Sequence, residues 1–238
     1  MMLRARYLPL PLLAACTEPS GTPLSELPFP ELAIVAGPLL VEVEVRYRHT
    51  ETEANEPCAI LADDFEATVN GMAMPITERG AVKQGGCTWP ALRLDHPAAA
   101  VRTTLVLRDP SLTITADLAD VLAPRSAQLV PDGPWTFTPG QAVTLQWSPA
   151  SDLATHTPYL AFVYDDPSRG TVFAPAAATV VADRITVQTP SVAISGGTLQ
   201  VTLYTTPPGG GVDPPPSCTG ATCSLTKLPQ FAHLIDSR

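Results

Sequence analysis

The chain has 238 residues and a formal net charge of −9, with 23 acidic residues against 14 basic ones. An acidic chain of this kind is poorly suited to bind nucleic acid, so we expect no nucleic-acid partner. No run after the first sixteen residues approaches the roughly 18 apolar residues that a membrane-spanning helix needs. The length suits one or two globular domains.

The first sixteen residues have the pattern of an export signal, in which a basic start precedes an apolar stretch. Arg4 and Arg6 come first, and Leu13-Ala14-Ala15-Cys16 closes the stretch. This closing run resembles the lipobox of bacterial lipoproteins. The resemblance implies cleavage before Cys16, a diacylglycerol thioether on its thiol and acylation, such as with palmitate, of the new amino terminus. An ordinary cleaved signal with an incidental Cys16 is the alternative.

From this resemblance we expect residues 1–15 to be a signal peptide and residues 16–31 to be a lipidated Cys followed by a flexible tether. The tether is rich in Pro, Ser, Thr and Glu. Two or more acyl chains anchor a protein stably, so we expect the membrane to be a partner that the protein binds through its lipid anchor. Thr17 follows the Cys, and by family analogy this favours the outer membrane of the cell envelope.

Residues 32–122 are predicted to form a first β-sandwich domain. Residues 41–48 alternate strictly between apolar and charged side chains, which is typical of an antiparallel strand with one face in water. Asn70-Gly71 lies between two further strand candidates and predicts a hairpin. A second hairpin is predicted around Asp109-Pro110-Ser111. No segment here has a convincing helical period.

Residues 123–134 are dense in turn formers and are predicted to be a linker, and residues 135–238 a second β-sandwich domain. The run PGQAVTLQWSP at 139–149 resembles an early strand of immunoglobulin-like or fibronectin-like domains. The resemblance implies an all-β chain of two tandem immunoglobulin-like sandwiches, with Trp147 packed in the core. It implies no family function. Residues 207–216 are predicted to be an exposed loop.

The five cysteines are an odd number, and lipidation of Cys16 would leave four of them to pair. Three connectivities are possible. The simplest joins Cys58 to Cys87 and Cys218 to Cys223, with one bridge in each half and the second pinning the 207–216 loop onto the last strand. An oxidising exported compartment favours disulfides. A zinc site is the rival, but the spacing from Cys58 to Cys87 is too long for a knuckle.

The sequence holds no motif of a catalytic or cofactor site: the serine-hydrolase elbow, the H-E-x-x-H zinc motif, the phosphate-binding loop and the dinucleotide fingerprint are all missing. We therefore expect no enzyme, no cofactor and no metal. The four histidines (His49, His96, His156, His233) are scattered. Two acidic pairs, Asp63-Asp64 with Glu66 and Asp165-Asp166, are weak candidates for calcium, since neither follows the spaced calcium-loop pattern.

Three functions remain open. A non-catalytic envelope lipoprotein with a structural or interaction role is the first, and a module binding a surface polysaccharide or another envelope protein is the second. An enzyme with a site built from scattered residues is the least favoured. An exposed row of aromatic side chains would favour polysaccharide stacking, and core packing is its alternative. The aromatic residues concerned are Tyr159, Phe162, Tyr164, Trp89 and Trp135.

Overall fold

A computed structural model describes residues 21–27, 30–47, 58–83, 86–154, 156–166, 168, 170–190, 197–204 and 216–237. Within them the chain is all-β, as predicted, with two short 3₁₀ helices at Leu24–Glu26 and Ala150–Ala154. None of the described helices has the length and hydropathy to cross a membrane. The buried apolar side chains form two separate clusters, one for each β-sandwich. Cys16, the predicted signal peptide and most of the tether lie outside the described residues.

The first sandwich packs two five-stranded sheets face to face. In spatial order, one sheet contains β22 (Thr222–Lys227), β2 (Pro30–Gly37), β3 (Leu40–Tyr47), β10 (Ala91–Asp95) and β7 (Ile76–Glu78). The other contains β21 (Ser217–Thr219), β12 (Leu112–Asp117), β11 (Thr104–Asp109), β5 (Glu66–Val69) and β6 (Met72–Ala73). Two small pairs join β1 (Thr22–Pro23) to β4 (Ala59–Ile60) and β8 (Ala81–Lys83) to β9 (Gly86–Thr88).

Local sequence patterns explain the hairpins of this sandwich. In β3 the alternate residues Val41, Val43 and Val45 are fully buried, which confirms the predicted strand. The predicted hairpin at Asn70-Gly71 joins β5 to β6, and both residues have positive φ (50° and 80°). A two-residue turn of this kind favours Asn-Gly because few other residues tolerate positive φ. The second predicted hairpin joins β11 to β12.

The second sandwich packs a four-stranded sheet on a five-stranded one. The smaller sheet contains β13 (Ser126–Val130), β15 (Ala142–Ser148), β19 (Arg184–Gln188) and β18 (Ala178–Val181). The larger contains β14 (Thr136–Phe137), β23 (Phe231–Ser237), β20 (Thr198–Tyr204), β16 (Thr157–Asp166) and β17 (Gly170–Pro175). Trp147 on β15 is buried and meets Phe231 edge to face at 4.9 Å, so the expectation that this Trp packs in the core is confirmed.

The domain boundaries differ from those predicted in two places. Strand β13 lies inside 123–134, the predicted linker, because its five residues pair along β15. Residues 217–227, predicted to belong to the second domain, contain β21 and β22, which pair with the first sandwich. We call β21 and β22 the inserted strands. They lie in different sheets and cover β12 in one sheet and β2 in the other, which would otherwise be open edges.

Both predicted disulfides are present, but the expected position of one is wrong. Cys58 is bonded to Cys87 with 5.2 Å between their Cα atoms, and Cys218 is bonded to Cys223 with 6.1 Å. The second bridge does not fasten a loop to the last strand of the second sandwich. It links the two inserted strands, β21 and β22, so it connects the two sheets of the first sandwich. Both bridges therefore belong to the first sandwich.

Candidate functional site

The most unusual side chain in the described residues is Arg125, which lies where the first sandwich ends and β13 begins. Its side chain is 0% exposed. A fully buried guanidinium is rare because removing its charge from water is costly unless acceptors surround it. The hydrogen-bond acceptors around Arg125 therefore define the structure of this junction.

Arg125 donates hydrogen bonds to both sandwiches. Its Nε donates to Asp152 Oδ2 at 2.7 Å, and its Nη2 donates to Asp120 Oδ2 at 2.7 Å. Its Nη1 donates to the carbonyl oxygens of Asp120 and Ala123, both at 3.0 Å. Asp120 follows β12 of the first sandwich, and Asp152 lies in the 3₁₀ helix that follows β15 of the second. One side chain thus pairs with an acid from each sandwich.

Asp152 is fixed by further contacts within the second sandwich. Its side chain is only 7% exposed, and the indole Nε1 of Trp147 lies 3.4 Å from Oδ2 as a donor. The backbone N–H of His156 donates to the Asp152 carbonyl at 2.6 Å, and His156 Nδ1 lies 3.1 Å from the same oxygen. The carboxylate that receives Arg125 therefore also accepts from the core tryptophan, while the backbone of Asp152 is held by His156.

The same acids also resemble a metal-ligand set. Asp120, Asp152 and His156 each offer a ligand atom, and these atoms lie within 4.8 Å of one another. Arg125 already bonds to both carboxylates and offsets one of their two negative charges. A cation at this place would have to approach the buried guanidinium closely. We therefore interpret the group as an ion-pair cluster and call it the junction cluster: Asp120, Arg125, Asp152 and His156.

No motif in the sequence indicates the junction cluster, because Arg125 falls in a predicted linker and His156 is one of four scattered histidines. The four-residue spacing of Asp152 and His156 was the only local signal, and spacing alone does not show that Asp120 lies beside them. The contact depends on how the two sandwiches pack together, and the periodicity of apolar and polar residues in the sequence does not predict this.

The acidic pairs considered for calcium lie in turns. Asp63 and Asp64 form an exposed turn before β5. At the β16–β17 turn, Asp165 Oδ1 accepts from Thr171 Oγ1 at 2.8 Å, and Asp166 Oδ1 accepts from the backbone N–H of Ser168 at 2.7 Å. Within the described ranges neither pair gathers the third ligand group that a metal site would need.

The aromatic side chains mostly pack against the two cores. Phe162 is buried, while Tyr159 and Tyr164 are half-buried on the same strand. Trp89 packs partly against the first core, and Trp135 packs partly against the second and stacks on His233 with ring centroids 3.9 Å apart. These five aromatics thus form no exposed row, which weighs against polysaccharide stacking. His49 lies outside the described residues, and His96 is exposed.

Three of the seven exposed large apolar residues, Phe173, Val180 and Val181, lie on neighbouring strands at one side of the second sandwich. Strand β17 is the edge of one sheet and β18 the edge of the other, and the two strands follow each other in the chain. All four residues of β18 are exposed, and Phe173 on β17 is 61% exposed. Residues 171–182 contain no charged side chain. We call residues 171–182 the edge wall.

No protein-family model matches the chain, and no curated protein matches its sequence. Among solved structures, the chain is similar to the I9–I11 tandem of titin, with 7% identity and a TM-score of 0.26. It is also similar to the N-terminal eight immunoglobulin domains of Down syndrome cell adhesion molecule, with 16% identity and a TM-score of 0.25. The matches cover 83% of this chain but only 64% and 24% of those chains. TM-scores this low carry no argument, so the assignment of two β-sandwiches rests on the sheet topology alone, and the immunoglobulin-like class stays a prediction.

Proposed function

We propose that the protein is a non-catalytic lipoprotein of the cell envelope, in which two β-sandwiches act as one rigid structural or interaction module. The junction cluster carries the rigid-module part of the proposal, and the lipobox-like run that ends at Cys16 carries the lipoprotein part. The side chain of Arg125 is wholly buried between Asp120 and Asp152, so the two sandwiches can separate only by exposing or unpairing these charges. A fixed pair of domains suits a protein that presents a surface rather than one that closes around a substrate.

The path of the chain supports the same proposal. It passes between the sandwiches three times: before β13, between β20 and β21, and between β22 and β23. In the last passage the backbone N–H of Leu228 donates to Ala36 of the first sandwich at 2.8 Å, and that of Gln230 donates to Leu203 of the second at 3.1 Å. Three connections restrict rotation far more than a single linker would.

Backbone ¹⁵N relaxation of the full chain with Cys16→Ser tests the rigidity. If the module is rigid, amides in β2 and β3 and amides in β15 and β19 will report one common rotational correlation time. The variant Arg125→Met should allow the two sets to diverge. Two different correlation times in the chain without that substitution would contradict the proposal.

The anchor is tested separately at Cys16. Metabolic labelling with a fatty-acid probe in a bacterial host should mark the chain and spare Cys16→Ser, because the thiol is the proposed attachment point. The labelled form should stay with outer membranes after a salt wash, and the variant should not. Equal labelling of the two chains would rule out lipidation at this residue.

The second candidate function is a binding module at the cell surface. The edge wall favours a protein ligand over a polysaccharide, because its exposed apolar residues are chiefly aliphatic and lie on strand edges. Polysaccharide sites instead expose aromatic faces for stacking. A glycan array probed with the full chain should therefore give no signal, and specific glycan binding would overturn this preference.

A further inference from the structure

We propose that one end of the first sandwich lies against the membrane and that the second sandwich is held away from it. This inference rests on the proposed lipid anchor at Cys16, and it specifies the surface of the protein that meets the lipid. Three observations carry it: the residues after the anchor are docked on the first sandwich, the strands run away from the anchor, and the second sandwich is acidic.

Residues 21–27 belong to the predicted tether, but they are folded onto the first sandwich. Strand β1 pairs in parallel with β4, and the backbone N–H of Thr22 donates to the Cys58 carbonyl at 2.7 Å. Leu24 and Leu27 are 1% and 5% exposed and belong to the core of the first sandwich. These contacts hold the segment in place, because its release would expose both apolar side chains to water.

A hydrogen bond and a close approach fix the same segment. The backbone N–H of Ser25 donates to Oδ2 of the buried Asp109 at 3.0 Å. Gly21 lies so close to the neighbouring segment that an added Cβ would be 2.8 Å from the Cys58 carbonyl oxygen. Glycine allows two backbone segments to approach this closely. The chain is therefore attached to the first sandwich from Gly21 onward.

The docked segment leaves only a short connection to the anchor. Residues 17–20 are all that lies between Cys16 and Gly21. In any conformation, the five Cα-to-Cα steps from Cys16 to Gly21 span at most about 18 Å. A tether that stayed free up to residue 31 could span about 54 Å. A lipid on Cys16 would therefore confine the first sandwich to the neighbourhood of the bilayer.

The direction of the strands shows which end of the first sandwich meets the lipid. Asp109, which holds Ser25, lies where β11 turns into β12. The turn from β21 to β22 is at the same end, because Gly220 lies beside Thr113 near the start of β12. We call these two turns, together with residues 21–25, the anchor end.

The second sandwich is attached at the opposite end of the first. Strand β22 runs away from the anchor end in parallel with β2, whose eight residues are about 25 Å long. Leu228 follows β22, and its N–H donates to Ala36 near the end of β2 before the chain enters the second sandwich. Asp120 of the junction cluster follows β12, which also runs away from the anchor end. The length of a strand therefore separates the second sandwich from the anchor end.

Charge opposes an orientation in which the molecule lies on its side. Residues 126–204 and 228–238, which form the second sandwich, contain six acidic residues and three basic ones. A bilayer that contains anionic lipids repels a negatively charged domain. Because the junction cluster and three chain connections join the sandwiches, this repulsion acts on the orientation of the whole molecule.

The native tryptophans can report the orientation. Trp89 precedes β10, which begins on the side of the anchor end, and Trp135 precedes β14 in the second sandwich. The sample is the proposed mature form, the chain from Cys16 onward, labelled with 5-fluorotryptophan. Its Cys16 thiol is coupled to a maleimide lipid with two acyl chains, and the four other cysteines are disulfide-bonded and do not react. Nanodiscs of phosphatidylcholine and phosphatidylglycerol carry this lipid and a gadolinium-chelate lipid.

The ¹⁹F signal of Trp89 should broaden far more than that of Trp135. Paramagnetic relaxation falls with the sixth power of distance, so a further strand length of about 25 Å should weaken it at least about tenfold. Ten Gly and Ser residues inserted between Ser20 and Gly21 let the connection span about 54 Å and should reduce the broadening of Trp89 at least about twofold. The same insertion between Gly209 and Gly210 is the matched control and should leave that broadening unchanged.

Chemical coupling makes this test independent of whether cells acylate Cys16, which the metabolic labelling decides. Three results would overturn the proposed orientation. Equal broadening of Trp89 and Trp135 would show that both sandwiches lie along the membrane, and stronger broadening of Trp135 would show that the second sandwich faces it. An insertion before Gly21 that leaves Trp89 unchanged would show that the docked segment does not set the distance to the bilayer.

Discussion

Replacing Arg125 with Met should cost about 3–5 kcal/mol of unfolding free energy, because it leaves a buried carboxylate without its partner. The side chain of Asp152 is 7% exposed, whereas that of Asp120 is 41% exposed. The pair with Asp120 is therefore screened by water and contributes about 0–1 kcal/mol. Most of the cost comes from Asp152. The contacts that its carboxylate keeps in the variant include the longer 3.4 Å hydrogen bond from Trp147.

A double substitution separates this cause from a general packing defect. Adding Asp152→Asn to Arg125→Met removes the buried negative charge that has lost its guanidinium, so the double variant should regain at least about 1 kcal/mol over Arg125→Met alone. Urea unfolding followed by circular dichroism measures each free energy. Arg79 is an exposed arginine that donates to the Ala62 carbonyl at 2.7 Å, and it provides the control. Arg79→Met should change stability by no more than about 0.5 kcal/mol.

Two outcomes would refute this reasoning. If Arg125→Met costs less than about 1 kcal/mol, the guanidinium is not the buried partner that the geometry indicates. If Asp152→Asn lowers the free energy of unfolding by the same amount in Arg125→Met as in the chain that keeps Arg125, the two residues are independent. The junction cluster is then not a coupled unit.

Three further outcomes follow from other parts of the molecule. Cys58→Ser should lower the free energy of unfolding in urea more than Cys218→Ser does, because the two bridges close loops of 29 and 5 residues. Chain entropy gives about 3–4 kcal/mol of stabilisation for the longer loop. Equal costs for the two variants would contradict this. A fragment of residues 1–125 should unfold at lower urea than the first sandwich of the whole chain because it lacks the inserted strands, and an unchanged midpoint would show that these strands are dispensable. The pKa of Asp117 is lowered chiefly by its hydrogen bond from Arg102. The pair therefore adds a small amount to the free energy of unfolding above the unfolded pKa of about 4, and this amount is lost as pH falls through the lower folded pKa. Asp117→Asn should reduce the loss of stability on acidification in low salt, and an unaltered pH profile would count against the pair.

The sequence predicted features that are encoded locally and missed those that depend on distant contacts. Strand β3 follows from strict alternation, and the Asn70-Gly71 turn follows from backbone preference, so each needed only a few adjacent residues. The inserted strands also have strand-like residues, but nothing in them indicates which sheet each strand joins. Strand β22 pairs in parallel with β2, and Ser224 and Leu32 are 192 positions apart. Arg125 was missed for the same reason, since its partners lie in different sandwiches.

The inserted strands also set the order in which the chain can finish folding. During synthesis the last early strand of the first sandwich, β12, ends at Asp117, but β22 ends only at Lys227. At about 5–20 residues per second, the ribosome needs roughly 6–20 s to make the chain between them. For that interval β2 and β12 remain open sheet edges that can pair with other nascent chains. An exported chain that emerges amino terminus first would thus need a chaperone or a delay in folding until its own last strands arrive.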